Sequence, residues 1–138
     1  MYKRQHPIRL NKEVPGHIAN RLQAALWREA IHLAAENVAS VADIDAAVSQ
    51  GPGLRWALFG PHMTFNLGGG AGGLANFMDH LLGPVQTWWD DLGAPEVTPE
   101  LQRRLIEGVN AEAGQRSIAD LVEKRDAQLT ALLKTLRN

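Results

Sequence analysis

Apolar residues in this chain recur at spacings of three and four rather than in alternation, so the pattern is helical almost from end to end. One stretch, His6 to Leu10, reads as a short strand. A long first helix is predicted from about Gly16 to about Asn37. It carries two apolar stripes: Ile18, Leu22, Ala25, Leu26 and Leu33 form one, and Ala24, Trp27, Ile31, Ala34 and Ala35 the other. A helix apolar on two faces is covered on two sides, and a second subunit is a natural second cover. Ser40 followed by Asp43 has the Ser-x-x-acid form of a helix start, giving a second helix that ends near Gln50 before Gly51-Pro52-Gly53. A third segment, Leu54 to about Leu67, contains Gly60-Pro61, and a proline there predicts a kink or two short helices.

Gly68 to Gly73 is a glycine-rich loop, expected to act as a hinge or lid. Leu74–Leu82 and Val85–Leu92 read as two short helices separated by Gly83-Pro84. Thr98-Pro99 is a cap and first-turn pair that launches a helix to about Ala113. Ser117 and Asp120 repeat the cap pattern. The helix they start carries Ile118, Leu121, Val122, Leu129, Leu132, Leu133 and Leu136 at helical spacing.

Composition narrows the class. The 138 residues fit one domain, and 45% apolar against 21% charged residues predicts a packed chain. The net charge of -1 offers no electrostatic footprint for nucleic acid or an acidic membrane. The absence of cysteine excludes disulfides, thiolate metal sites and cysteine nucleophiles, and suits a reducing, cytoplasmic setting. The basic start, Met1 to His6, is not followed by a secretory apolar core, and no run is long enough to span a membrane.

Candidate chemistry is sparse. Gly68 to Gly73 satisfies G-x-G-x-x-G, and Asp90 lies twenty residues beyond Gly70. Yet no strand delivers the loop and no βαβ alternation surrounds it, so a dinucleotide site is rejected. His32 and Glu36 share a helix face without a third metal ligand, so no metal site is expected. His17 beside the Pro15-Gly16 break lacks an orienting carboxylate, and no G-x-S-x-G elbow supports a catalytic triad. Asn20 stands in the first turn of the first helix with Arg21 beside it, where unpaired backbone N–H groups favour anionic or carbonyl ligands. Trp56, Phe59 and Phe65 cluster around Gly60-Pro61, with Arg55 adjacent. Aromatic faces attract cations, quaternary ammonium above all, and a guanidinium suits a carboxylate or phosphate. The competing reading makes the aromatics core residues and Arg55 a solvated surface group. Trp88 and Trp89 point about 100° apart on a helix, so one of them is expected to face a partner or a cleft.

The run Pro15-Gly16-His17-Ile18-Ala19-Asn20-Arg21-Leu22 resembles the C-terminal domain of 3-hydroxyacyl-CoA dehydrogenases. Glu29-Ala30, Asp43-Ile44-Asp45, Gly51-Pro52-Gly53 and Gly60-Pro61 follow in that family's order. The segment Gly53 to Gly73 is most similar to the L-carnitine dehydrogenase branch, and next to hydroxyacid dehydrogenases related to lambda-crystallin. The resemblance implies an all-α domain of the 6-phosphogluconate/3-hydroxyacyl-CoA dehydrogenase type over residues 13–138. Residues 1–12 are then a remnant or linker from a nucleotide-binding domain that this chain lacks. It implies NAD bound by that other domain and not by this chain, and catalytic histidine and glutamate residues outside this chain. It also implies a homodimer and a small hydroxy-acid or acyl-CoA substrate, and it gives Asn20 a substrate-binding role. His17 stands where the family often has phenylalanine, which argues against a catalytic role for it.

The expectation is therefore a substrate-binding and dimerisation domain with no catalytic residue of its own. Asn20, Arg21, Arg55, Trp56, Phe59 and Phe65 are the candidate substrate contacts. A non-enzymatic helical interaction domain and a small quaternary-ammonium binder are the alternatives.

Overall fold

The computed structural model describes residues 7–136, and these residues form an all-helical chain with no strand among them. The elements are α1 (Ala19–Ala35), α2 (Val41–Gln50), α3 (Pro52–Trp56), α4 (Pro61–Gly68), α5 (Gly73–Asp91), α6 (Pro99–Ala113) and α7 (Ile118–Thr135). A single 3₁₀ turn, Gly70–Gly72, joins α4 to α5.

The predicted strand is not found. Residues 7–10 have no regular structure and His6 lies outside the described residues. A strand needs a neighbour to take up its N–H and C=O groups, and no other segment of the chain has strand character. The start of α1 is also later than the pattern suggests. The His17 N–H donates to the Val14 carbonyl at 2.9 Å, with Pro15 and Gly16 (φ 75) at the centre of the turn. That is the type II arrangement, which needs a glycine at its third position, and it uses the residues that would have formed the first helical turn.

The sequence caps work as expected. The Ser40 hydroxyl accepts from the Asp43 N–H at 3.1 Å, and the Thr98 hydroxyl accepts from the Leu101 N–H at 3.2 Å. Ser117 and Asp120 form a complete capping box. Gly60-Pro61 separates two short helices, α3 and α4, as one of the two predicted outcomes.

Pro84 does not divide α5, which runs unbroken through it. A proline inside a helix removes one hydrogen bond and crowds the carbonyl four residues back, here that of His80. Pro84 is exposed, so water can satisfy that carbonyl, and the preceding Gly83 has open space around it.

Two packed groups result. In one, α1 and α6 flank α2; in the other, α4 lies against α5, with α3 connecting the two groups. Gly108 brings α6 onto α2, since a Cβ there would sit 2.8 Å from the Val41 Cβ. Arg104 of α6 clamps the end of α1. Its guanidinium donates to the Ala34 carbonyl at 2.9 Å and to the Asn37 Oδ1 at 2.6 Å. Of the two stripes on α1, the second supplies the buried Ile31 and Ala34, whereas Ile18, Leu22 and Leu26 of the first stay exposed. Buried apolar side chains among the described residues are few: Ile31, Ala34, Ile44 and Leu101. The leucine stripe of α7 packs closely on none of the other helices.

Candidate functional site

The Gly-Pro break after α3 shapes the site. Pro61 starts α4 with Gly60 in an extended conformation, and the Thr64 hydroxyl donates back to the Phe59 carbonyl at 3.2 Å. Phe59 and Phe65, on either side of the break, line the same cavity. The glycine-rich turn then reverses the chain so that α5 returns along α4. Phe65 meets Phe77 of α5 with ring centroids 4.8 Å apart and planes tilted by 44°, a favourable offset geometry.

Between these elements lies a solvent-open cavity of about 580 Å³, lined by Arg55, Leu58, Phe59, Phe65, Leu67 and Phe77 together with Thr64 and Gly68. Among the described residues, Arg55 is the only charged side chain lining it. The arrangement is an apolar, aromatic bowl with one guanidinium at its wall. It suits a ligand that is bulky and apolar or cationic at one end and anionic at the other. Phe77 belongs to this site and was not singled out by sequence reasoning. Its spacing from Gly68–Gly73 was the available signal, because a tight turn there returns the following helix onto the preceding one.

The other candidates lie elsewhere. Trp56 ends α3 beside Arg55 but does not line the cavity. Asn20 and Arg21 are in the first turn of α1, and α1 packs on α2 and α6 rather than on α3 or α4. Asn20 borders a shallow depression with Gln23, Ala24 and Trp27, all from α1 itself. One helix cannot enclose a ligand, so this face needs a second body to become a site. Thus the structure brings Arg55, Phe59 and Phe65 together, and leaves Asn20, Arg21 and Trp56 outside their cavity.

The glycine-rich segment is not an open loop. The Leu74 N–H donates to the Asn66 Oδ1 at 2.9 Å, and the Asn76 amide donates to the Gly69 carbonyl at 3.0 Å. Two side-chain amides therefore pin the turn from both sides, which replaces the expected hinge or lid with a fixed corner. The corner follows a helix, and its Leu74 N–H is already bonded. These residues do not fit a dinucleotide phosphate. No group of three metal-ligating side chains occurs among the described residues. His32 packs against Gly93 rather than joining Glu36 around a metal. Trp88 and Trp89 are both more than half exposed, at 65% and 57%, so neither is covered by the chain itself.

The described residues are all-helical, and comparison with known families gives the class of this domain. Residues 16–107 match the 3-hydroxyacyl-CoA dehydrogenase C-terminal domain, and the chain belongs to that family. Among curated relatives, the L-carnitine dehydrogenase of Streptomyces coelicolor is 49% identical over 127 residues, 92% of this chain and 40% of the relative. That of Pseudomonas aeruginosa is 45% identical over 131 residues, 95% of this chain and 41% of the relative. That of Bacillus cereus is 43% identical over 130 residues, 94% of this chain and 40% of the relative. The chain thus spans about two fifths of the length of these relatives. No helix among the described residues is long and apolar enough to cross a membrane.

Proposed function

We propose that this chain is the substrate-binding and dimerisation domain of an NAD-dependent dehydrogenase that oxidises the 3-hydroxy group of L-carnitine, or of a closely similar hydroxy acid, to a ketone. NAD and the residues that move the proton and hydride belong to a nucleotide-binding domain outside this chain, to which residues 1–12 are the link. The chain alone neither binds NAD nor turns over substrate, and it works as a homodimer in the cytoplasm.

The observation that carries this reading is the aromatic cavity with Arg55 on its wall. A trimethylammonium group is apolar in shape yet charged, so it is best held against ring faces such as those of Phe59, Phe65 and Phe77. A carboxylate at the other end of the same small molecule is matched by the planar donor fork of Arg55. Trp56 follows Arg55 at the end of α3, outside the cavity. Asn20 and Arg21 act from α1, where the second domain completes their half of the site. The L-carnitine dehydrogenase relatives support the substrate class.

The test joins this chain to its nucleotide-binding domain and follows NAD reduction with L-carnitine, with 3-hydroxybutyryl-CoA, and with a carnitine analogue bearing tert-butyl in place of trimethylammonium. Turnover of carnitine is expected, with the neutral analogue disfavoured. Phe65→Leu is expected to raise the KM for carnitine roughly tenfold and to leave the analogue nearly unchanged, because only the charged group uses the ring face. Turnover of the CoA ester alone would make Phe59 and Phe65 packing residues and refute the ammonium site.

A second reading, a non-enzymatic helical interaction domain, is favoured by the unusually large exposed apolar surface. Asn20→Ala separates the two. It removes turnover while leaving assembly intact if the dehydrogenase reading holds, and it has no specific effect if the chain is only an interaction module.

A further inference from the structure

The chain exposes 11663 Å², whereas a compact chain of this size exposes about 7,000 Å². The difference is several times the ~800 Å² that each partner loses in a standard interface. Two exposed apolar features contribute to it. α7 is an independent, well-capped helix about 27 Å long whose leucine stripe has no cover. An apolar groove of about 340 Å³ runs between α1, α2 and α6, lined by Trp27, Ile31, Ile44, Ile106 and Val109. Trp27, Ile106 and Val109 are each more than half exposed along it.

The charges on these two surfaces match. Arg125 lies within the α7 stripe, three residues from Val122, four from Leu121 and Leu129, and seven from Ile118 and Leu132, so it shares their face. Its partner in the chain is the adjacent Asp126 at 2.7 Å, an exposed pair of the kind that contributes little. A guanidinium in the middle of an apolar stripe needs an acid opposite it once the stripe is covered. Asp45 lines the groove and has no ion pair among the described residues.

We infer that α7 of one copy lies in the α1–α2–α6 groove of a second copy, with Arg125 against the second copy's Asp45, and that the exchange is mutual. A two-fold dimer repeats such a contact twice and covers both orphan surfaces at once. The inference rests on the homodimer proposed above and not on the substrate.

The test uses the 138-residue chain, which has no native cysteine. Sedimentation is expected to show a dimer. Arg125→Asp and Asp45→Arg are each expected to weaken it roughly tenfold or more, and the double exchange to recover most of the loss. A chain carrying both Asp45→Cys and Arg125→Cys, treated with a short bismaleimide, is expected to give a covalent dimer on denaturing gels. Circular dichroism checks that each variant keeps its helices. A cross-link within one chain, seen as a single-chain band on denaturing gels while the native protein sediments as a dimer, overturns the exchange while leaving the dimer standing. So does a folded dimer that the charge reversals do not weaken or that the reagent does not join. A chain that sediments as a monomer overturns both. Neither result bears on carnitine turnover, so failure here is separable from failure of the substrate assignment.

Discussion

Glu29 sits in the Glu29-Ala30 step of the family pattern, and its carboxylate supports a tertiary lock rather than chemistry. Its Oε2 accepts from the Gly93 N–H at 2.8 Å, joining positions 64 apart in sequence and tying the connection between α5 and α6 to α1. At the same point the His32 ring fills the space where a side chain on residue 93 would begin. Glu29→Ala removes a hydrogen bond to a charged acceptor in a half-buried setting and leaves the Gly93 N–H without its partner. Bonds of this kind contribute about 1.5–3 kcal/mol, and partial exposure places this one at the low end, about 1.5–2 kcal/mol. Glu29→Gln keeps an acceptor oxygen and should cost about half as much. Gly93→Ala forces the His32 ring to move and is expected to cost about 1–3 kcal/mol. Because both changes break one contact, their combination should cost less than the sum. The assay is urea unfolding followed by circular dichroism, at one fixed protein concentration because assembly contributes to stability. A Glu29→Ala midpoint equivalent to less than ~0.5 kcal/mol of change, or a Gln variant as damaged as the Ala variant, would refute the lock.

Gly73 has φ 59, and a Cβ there would approach the Asn66 Oδ1 to 2.8 Å. Gly73→Ala is therefore expected to lower stability by about 2 kcal/mol and to open the aromatic corner, read as weakened Phe65–Phe77 contacts in NMR. Ser117 holds the Asp120 carboxyl below its ordinary value of 3.8 through its hydroxyl and its backbone N–H. A depressed folded value means the cap contributes fully above the ordinary carboxylate range and is lost as pH falls through the lowered value. Helicity of α7 should thus fall at the acid end of a titration, and Ser117→Ala, which keeps the backbone N–H but removes the hydroxyl, should shrink that acid step while reducing helicity at neutral pH.

The starts of helices were legible because caps are local chemistry. Ser40, Thr98 and Ser117 each bond a backbone N–H three residues on, and the sequence carries all the information needed. The Pro-Gly and Gly-Pro breaks were legible for the same reason, although the length of the first turn before α1 was not. The errors fell where a long-range or solvent factor decides. Whether Pro84 breaks a helix depends on its exposure, which the local pattern does not contain. Whether the glycine-rich segment makes a lid or a corner depends on Asn66 and Asn76 reaching it from the flanking helices. The site was legible in part. Arg55, Phe59 and Phe65 are neighbours in sequence and remain so in space. Phe77 enters only through the α4–α5 reversal, and Asn20 stands apart because α1 packs on a different pair of helices.

That division has a physical source. A cavity made by consecutive elements such as α3, α4 and α5 can be inferred from one chain, because short connections keep neighbours together. A site that uses the first turn of α1 needs surfaces from another body, and the exposed stripes say the same of the fold itself. With so few buried apolar side chains, this chain cannot offset the entropy of ordering its helices by internal burial alone. The Ile18–Leu22–Leu26 stripe, the two tryptophans on α5 and the α7 leucines are exposed on three separate helices. A single added helix could cover only one of these surfaces. A second copy and a second domain together could cover all three, and the same two bodies would complete the ligand contacts proposed for Asn20 and Arg21.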